Sequence, residues 1–263
     1  MRLLLAVLGL AVLIWAGLCA LMYLQQRTLI YLPQFTFVPA DQTSFELQRG
    51  DGIVLRGWHL PADGRAVVIY FGGNAEAVQW LLPHAGQLFP DHDLYLLPYR
   101  GYGASDGQPS QQLLFDDAVA LYDHIRSRHP QAPIHVVGRS LGSGVGAWLA
   151  GQRRVDRLVL VSAFDSLMAV ARHHYPWLPV RWLLRERYES AHHLAGHDGP
   201  VLASHARADA IIPAARSQAL VDTLPRPSRV RVLPGSDHNF DLLEPELAQA
   251  IAGFLTAPEE RLP

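Results

Sequence analysis

Two hydropathic regimes divide this chain. From Leu3 to Leu24 it runs 22 residues without a charge, and at about 1.5 Å per residue such a helix crosses the roughly 30 Å hydrocarbon core of a bilayer. Beyond a linker rich in apolar and aromatic residues (Leu29 to Ala40), apolar runs become short and regularly interrupted. Thr43 to Gln48 and Ile53 to His59 flank Gly50-Asp51-Gly52 and predict a β-hairpin. Strand-length runs then alternate with helical segments: Ala66 to Phe71, Leu94 to Leu97, Ile134 to Val137, Leu158 to Val161, Val201 to Ser204 and Val230 to Leu233. That alternation predicts an α/β fold with a mostly parallel sheet covered on both faces. Among the helices, Leu113, Ala118, Leu121 and Ile125 follow an N-cap at Ser110, one segment runs from Pro213 to Val221, and Leu247 to Leu255 forms the last. Leu167 to His197 breaks the rhythm and is read as a small excursion over the sheet. The organisation expected is a transmembrane segment over 1–26, a linker over 27–42 and one α/β domain over 43–263, with the excursion at 167–197.

The apolar run is longer than the 7 to 15 residues or so of a cleavable signal and ends in Leu21-Met22-Tyr23-Leu24 rather than in small residues. It is therefore read as an uncleaved, single-pass anchor. Cys19 does not make a lipidation site, because Leu18 stands where a small residue is needed. Arg2 and the amino terminus outweigh Arg27 beyond the span, which places the N-terminus in the cytoplasm and the domain outside, in the periplasm if the membrane is a bacterial inner one. Whether Gln25 to Pro39 lies on the membrane or acts as a spacer is left open.

Composition narrows the chemistry. The net charge is −2 and no long basic run occurs, so nucleic acid is not expected as a partner. All 22 basic residues are Arg. A phosphate loop of the Walker type, a Schiff-base lysine and a Ser-Lys pair are thereby excluded. With Cys19 the sole cysteine, an intrachain disulfide and a thiol nucleophile in the domain are excluded too. His192, His193 and His197 have a spacing that metal sites use, but they lack cysteine or further acidic partners beyond Asp198 and are read as solvated loop histidines. No metal and no cofactor is expected.

The strand Ile134 to Val137 runs into Gly138-Arg139-Ser140-Leu141-Gly142 and then into a helix-like segment. G-x-S-x-G between a strand and a helix raises a serine hydroxyl above the sheet edge on a tight turn. The hydroxyl needs a base, and the base needs an acid that fixes its tautomer. Of the 13 histidines, His238 alone follows the last strand, in the loop Pro234 to Phe240. Asp209 follows Val201 to Ser204 at loop distance and is preferred as the acid over Asp237, whose adjacency to His238 in an extended loop turns its carboxylate away. The backbone N–H of Leu141 supplies one oxyanion donor, and that of Asn74, in Gly72-Gly73-Asn74-Ala75, the second.

These motifs together resemble the α/β-hydrolase superfamily, and within it the BEM46-like and ABHD12/13/17-like group, known in bacteria as serine aminopeptidase S33-type domains. The resemblance covers Leu29 to Leu255. It rests on the elbow and on Tyr70 to Ala75 (similar to FHGNA), Pro98 to Gly107 (similar to DYRGYGxSxG), His205 to Pro213 (similar to HGxxDxxVP) and Gly235 to Asn239 (similar to GxxHN). It implies the α/β-hydrolase fold, Ser140, Asp209 and His238 as the triad, and Asn74 and Leu141 as oxyanion donors. Gly72 stands where the family usually has His, and Ala206 where it usually has Gly. A membrane anchor is common in the group.

The activity expected is acyl transfer to water from an ester-type bond in a small-molecule or lipid-like substrate, such as a lysophospholipid, monoacylglycerol or thioester. Two alternatives remain: a serine peptidase, disfavoured because no acidic cluster that would hold a substrate amine is visible, and a binding protein that keeps the fold without catalysis. Trp177, Trp182 and Tyr188 in the excursion either line an acyl pocket or pack it onto the core. The oligomeric state is not written in the sequence.

Overall fold

The computed structural model describes residues 1–62, 66–224, 228–233, 237–238 and 242–257. Pro234, Gly235, Ser236, Asn239 and Phe240, part of the loop and motif expected around His238, lie outside the described residues. Helix α1 (Arg2–Ile30) leads into the hairpin β1 (Phe45–Gln48) and β2 (Val54–Leu60). Then come β3 (Ala66–Phe71), α2 (Ala85–Leu88), β4 (His92–Leu96), α3 (Gln111–Arg128), β5 (Ile134–Arg139), α4 (Leu141–Gln152) and β6 (Arg157–Val161). The short helices α5 (Leu167–His174), α6 (Val180–Leu183) and α7 (Ser190–His193) form the excursion, a small cap. The chain closes with β7 (Val201–Ala206), α8 (Ala214–Val221), β8 (Ser228–Leu233) and α9 (Pro245–Thr256).

The eight strands form one sheet in the order β1-β2-β4-β3-β5-β6-β7-β8. β1 and β2 are antiparallel to each other, β2 is antiparallel to β4, and all further pairings are parallel. Both faces of the strands β3 to β7 are buried, which is why they lack polar alternation, whereas the edge strand β8 alternates and exposes Val230 and Val232. On β3, Val67, Ile69 and Phe71 pack into one cluster with α3 and α4, while Val68 and Tyr70 pack into the other with α9. Burying each such side chain contributes roughly 1.5–3 kcal/mol.

Strand connection reverses beside β3: β4 lies on one side of it and β5 on the other. Ligand crevices of open α/β sheets form at such a switch point, outside the carboxyl ends of the strands. The loop after β3 and the turn after β5 therefore meet where the topology favours a site.

Several local expectations shift. Ser110 occupies the N-cap of α3, but its hydroxyl makes no capping bond. The buried stripe of α3 runs through Leu114, Phe115, Ala118, Leu121, Tyr122 and Ile125, with Leu113 half-buried. The segment after α1 is packed on the domain rather than a free spacer. Tyr31, Thr36 and Val38 are buried against the domain, and the Thr36 hydroxyl accepts from the Gly103 N–H at 2.9 Å.

Candidate active site

Ser140 follows the last residue of β5 and caps the N-terminus of α4 with φ +51° and ψ −115°. A non-glycine residue there is strained, and the surroundings hold it. Its N–H donates to the Val161 carbonyl at 2.8 Å, and the Ser143 hydroxyl donates to its carbonyl at 2.6 Å. The flanking glycines have a steric cause. A Cβ on Gly142 would lie 2.0 Å from the Phe71 carbonyl oxygen, and one on Gly138 would lie 2.4 Å from the Gly142 carbonyl oxygen. The elbow can be wedged between β3 and β5 only because both positions lack a side chain.

Three loops at the carboxyl edge converge on the serine. Ser140 Oγ lies 2.9 Å from His238 Nε2, and His238 Nδ1 lies 2.8 Å from Asp209 Oδ2. An ionised carboxylate only accepts, so Nδ1 carries the imidazole proton and Nε2 is left to accept from the serine hydroxyl. Asp209 is itself fixed, since its Oδ1 accepts from the N–H groups of Ile211 (2.8 Å) and Ile212 (2.7 Å). Burial works to raise the Asp209 carboxyl, but the hydrogen bonds from His238 and these two amides outweigh it and hold the group below its usual range. Asp237 lies exposed to solvent.

The loop after β3 is braced by a residue that the sequence did not single out. Glu76 Oε1 accepts from the Tyr70 hydroxyl (2.7 Å) and Trp80 Nε1 (2.9 Å), and Oε2 accepts from the Gly73 N–H (2.5 Å). Arg139 of the elbow approaches the same carboxylate at 3.3 Å. Burial drives the Tyr70 phenol well above its ordinary range, so it stays protonated and donates. Asn74 is pinned from the other side: its Oδ1 accepts from the Tyr102 hydroxyl (2.9 Å) and from the Leu32 N–H (3.0 Å). The Leu141 N–H is the first of α4, with no carbonyl one helical turn back to receive it. Gly72 has its own reason. A Cβ there would lie 2.5 Å from Val78 Cγ1, and the Tyr99 hydroxyl donates to the Gly72 carbonyl at 2.7 Å.

Above Ser140, Leu141 and Asn74 opens a cavity of about 430 Å³. Leu167, Val170, Leu178, Val180, Leu183 and Leu184 of the cap line it, with Ile211 and Ile212 from the loop of Asp209. Trp177, Trp182 and Tyr188, read as either lining a pocket or packing the excursion onto the core, are not among the residues that line the cavity. Trp177 and Trp182 are exposed, and Tyr188 is buried with its hydroxyl 2.8 Å from that of Tyr31. The opposite wall comes from α1, through Met22, Gln26, Leu29 and Ile30. The histidines of the cap are not a solvated group: His192 is exposed, His193 packs against Phe115 and Trp148, and His197 is buried.

The model of the α/β-hydrolase fold family matches residues 67–196. The uncharacterized protein Rv2307c of Mycobacterium tuberculosis is 36% identical over 274 residues, spanning 96% of this chain and 95% of that one. The lysophosphatidylserine lipase ABHD12 of Danio rerio is 28% identical, over 82% of this chain and 70% of its own. Among solved structures, the Pyrococcus furiosus esterase Pf2001 superposes with a TM-score of 0.65 at 17% identity, over 86% of this chain and 95% of the esterase. That last likeness is one of fold.

Proposed function

We propose, because the chain belongs to the α/β-hydrolase superfamily, that it is a membrane-anchored serine hydrolase cleaving an ester-type bond of a single-chain lipid. The observation that carries the reading is the continuous hydrogen-bonded chain from Ser140 through His238 to Asp209. His238 Nε2 takes the proton of Ser140 as Oγ attacks the acyl carbonyl. The oxyanion so formed is held by the N–H groups of Leu141 and Asn74, and the start of α4 adds a favourable dipole. Collapse breaks the bond to the alkoxide, which leaves with the proton from Nε2. Water then gives its proton to Nε2 and its oxygen to the acyl carbon, and the proton returns to Ser140 as the acid departs. Asp209 keeps its charge throughout and stabilises the imidazolium of both half-reactions.

The cavity supports the choice of substrate. It is apolar, and among the described residues that line it none is acidic, which suits an acyl chain better than the amine of a peptide. The relatives include an esterase by fold and a lysophosphatidylserine lipase by sequence.

Retention of α1 as an anchor is supported by its contacts. Its most apolar 18 residues have a mean hydropathy of 2.6, yet its last turns are bolted to the domain. Arg27 Nε donates to Glu186 at 2.7 Å and Gln26 Nε2 to the Leu183 carbonyl at 3.2 Å. Cleavage within the helix would strip a wall from the cavity. The excess of positive charge at Arg2 and the amino terminus favours a cytoplasmic N-terminus.

The test is turnover of lysophospholipids and p-nitrophenyl acyl esters by the detergent-solubilised full chain and by Ser140→Ala. Fatty-acid release that vanishes in the variant is expected. Peptide cleavage without ester cleavage would overturn the reading.

A further inference from the structure

Helix α1 makes two kinds of contact along its length. From Arg2 to Ile14 every residue is exposed, whereas Trp15, Cys19, Met22, Gln26 and Ile30 fall at spacings of three and four, one helical stripe, and this stripe faces the domain. Trp15 Nε1 donates to the Trp177 carbonyl at 3.2 Å. Cys19 and Met22 pack with Leu178 and Val180, and Gln26 Oε1 accepts from the Arg185 N–H at 2.7 Å. Glu186, buried in the cap, accepts from Arg27, from the Tyr31 hydroxyl (2.9 Å) and from the first N–H of α3 (2.5 Å).

Length then decides where the cap lies. Residues 3–14, the part of the apolar run without a cap contact, reach only about 18 Å, well short of the roughly 30 Å of hydrocarbon that a spanning helix must cross. Residues 15–24 must lie in hydrocarbon as well, and the cap tip at Trp177 is bonded to the first of them. The outer surface of the cap suits a place that runs from the hydrocarbon out to the headgroups. Trp182 is 80% exposed and Trp177 52%, side chains whose normal home is the boundary between acyl chains and headgroups. Arg172, Arg181 and Arg185 are exposed beside them, and Arg185 lies over the ring of Tyr23 at 5.8 Å. Aromatic residues interleaved with arginines match an anionic bilayer surface.

We infer that the cap is sunk into the bilayer against α1, and that the cavity between them is a lateral portal through which the acyl chain of a membrane lipid reaches Ser140 without passing through water. The inference rests on the serine-hydrolase reading for what happens at the end of the portal, and on the anchor reading of α1 for the position of the cap. Its walls are shared, with Met22, Gln26, Leu29 and Ile30 on the helix side and the apolar residues of α5 and α6 on the other. Helix α1 is thus a specificity element as well as an anchor. A lipid headgroup stays among the exposed arginines while its chain enters.

Two measurements on the full chain test this. In vesicles of phosphatidylglycerol and phosphatidylethanolamine, a spin label at Trp182→Cys, in a Cys19→Ser background, reports depth by its relative accessibility to oxygen and to a nickel chelate. The label is expected to be reachable by oxygen and shielded from nickel. The position is so exposed that the replacement leaves the fold alone. In parallel, Met22→Trp, which crowds the portal, is expected to lower the ratio of kcat/KM for myristoyl over butyryl esters by about tenfold or more. Leu10→Trp, on the part of α1 that touches only lipid, is expected to leave that ratio as in wild type. A nickel-accessible label, or an unchanged ratio in Met22→Trp, would overturn the portal. A shielded label in a protein that hydrolyses no ester of any length would instead overturn the hydrolase reading and leave the cap in the membrane.

Discussion

Strand β5 begins and ends beside a histidine, and the two ends have opposite characters. His135, second in the strand, is buried with its ring 5.5 Å from that of His92 and its Nδ1 without a hydrogen-bond partner. Burial first, then the charges of His92 and Arg157, push its imidazole down to about 3. About 16 Å along the same strand, Ser140 meets His238, whose Nδ1 is held by the carboxylate of Asp209. One imidazole is neutral because nothing favourable awaits its proton. The other faces a buried negative charge on one side and a hydroxyl on the other, which is what a base that must gain and return a proton requires. The lesson is positional: in a parallel sheet the loops that can bring together residues distant in sequence gather at the carboxyl edge, so His238 in such a loop can meet a nucleophile while His135 at the amino edge is packing.

The sharpest way to break the comparison is at the serine. Ser140→Ala is expected to lower kcat for ester hydrolysis by about 10⁴-fold or more. Next comes Asp209→Asn, which keeps the shape but presents an amide to Nδ1 and favours the wrong tautomer. A fall of about 10³ to 10⁴-fold in kcat is expected, measured with a butyryl ester so that the portal plays little part.

Glu76→Gln tests the bracing of the oxyanion loop. All four groups around the carboxylate donate, so an amide nitrogen there must face a donor. kcat is expected to fall by about 10 to 100-fold with KM little changed, and an equal rise in KM would speak against a role confined to the transition state.

At the other end of the strand the effect is on stability. His135 has a folded value of about 3 against an ordinary 6.5, so the unfolded chain binds more protons between those values. Stability therefore falls as pH drops from about 6.5 towards 3. In His135→Phe that share of the loss disappears: the denaturation free energy lost between pH 7 and 5 is expected to be smaller than in wild type by up to about 2 kcal/mol, with ester turnover within about twofold. Asp209 has the opposite sign of environment. Its lowered carboxyl contributes stability above the ordinary carboxylate range, lost only as pH falls through its depressed value, and Asp209→Asn removes that deeper acid loss in a urea titration at low pH.

The strands were readable because a doubly covered parallel sheet needs short continuous apolar runs, and their ends told where loops reach the carboxyl edge. Together with the G-x-S-x-G spacing and the chain order of a serine, an acid and a histidine, that reasoning led to Ser140, Asp209 and His238. What it missed has physical reasons. Helix α1 is apolar on all sides, so the stripe Trp15, Cys19, Met22, Gln26 and Ile30 does not stand out against the lipid-facing residues, and its docking on the cap leaves no mark in hydropathy. Glu76 and Glu186 are single acids in ordinary surroundings, and only folding brings donors from three segments around each. Gly72 reads as a turn residue until the position of Val78 is known. The exposed Trp177 and Trp182 meet neither reading, pocket lining or packing onto the core, because an aromatic residue suits a cavity, a core and a bilayer boundary alike.

The most direct test of the central claim, a serine made nucleophilic by a carboxylate-backed histidine, is covalent labelling with a fluorophosphonate followed by mass spectrometry of the proteolysed full-length protein. One adduct on the peptide that contains Ser140 is predicted, absent in Ser140→Ala and formed at least 100-fold more slowly in Asp209→Asn, by the tautomer argument above. A folded wild type that takes up no label, or takes it elsewhere, would contradict the account.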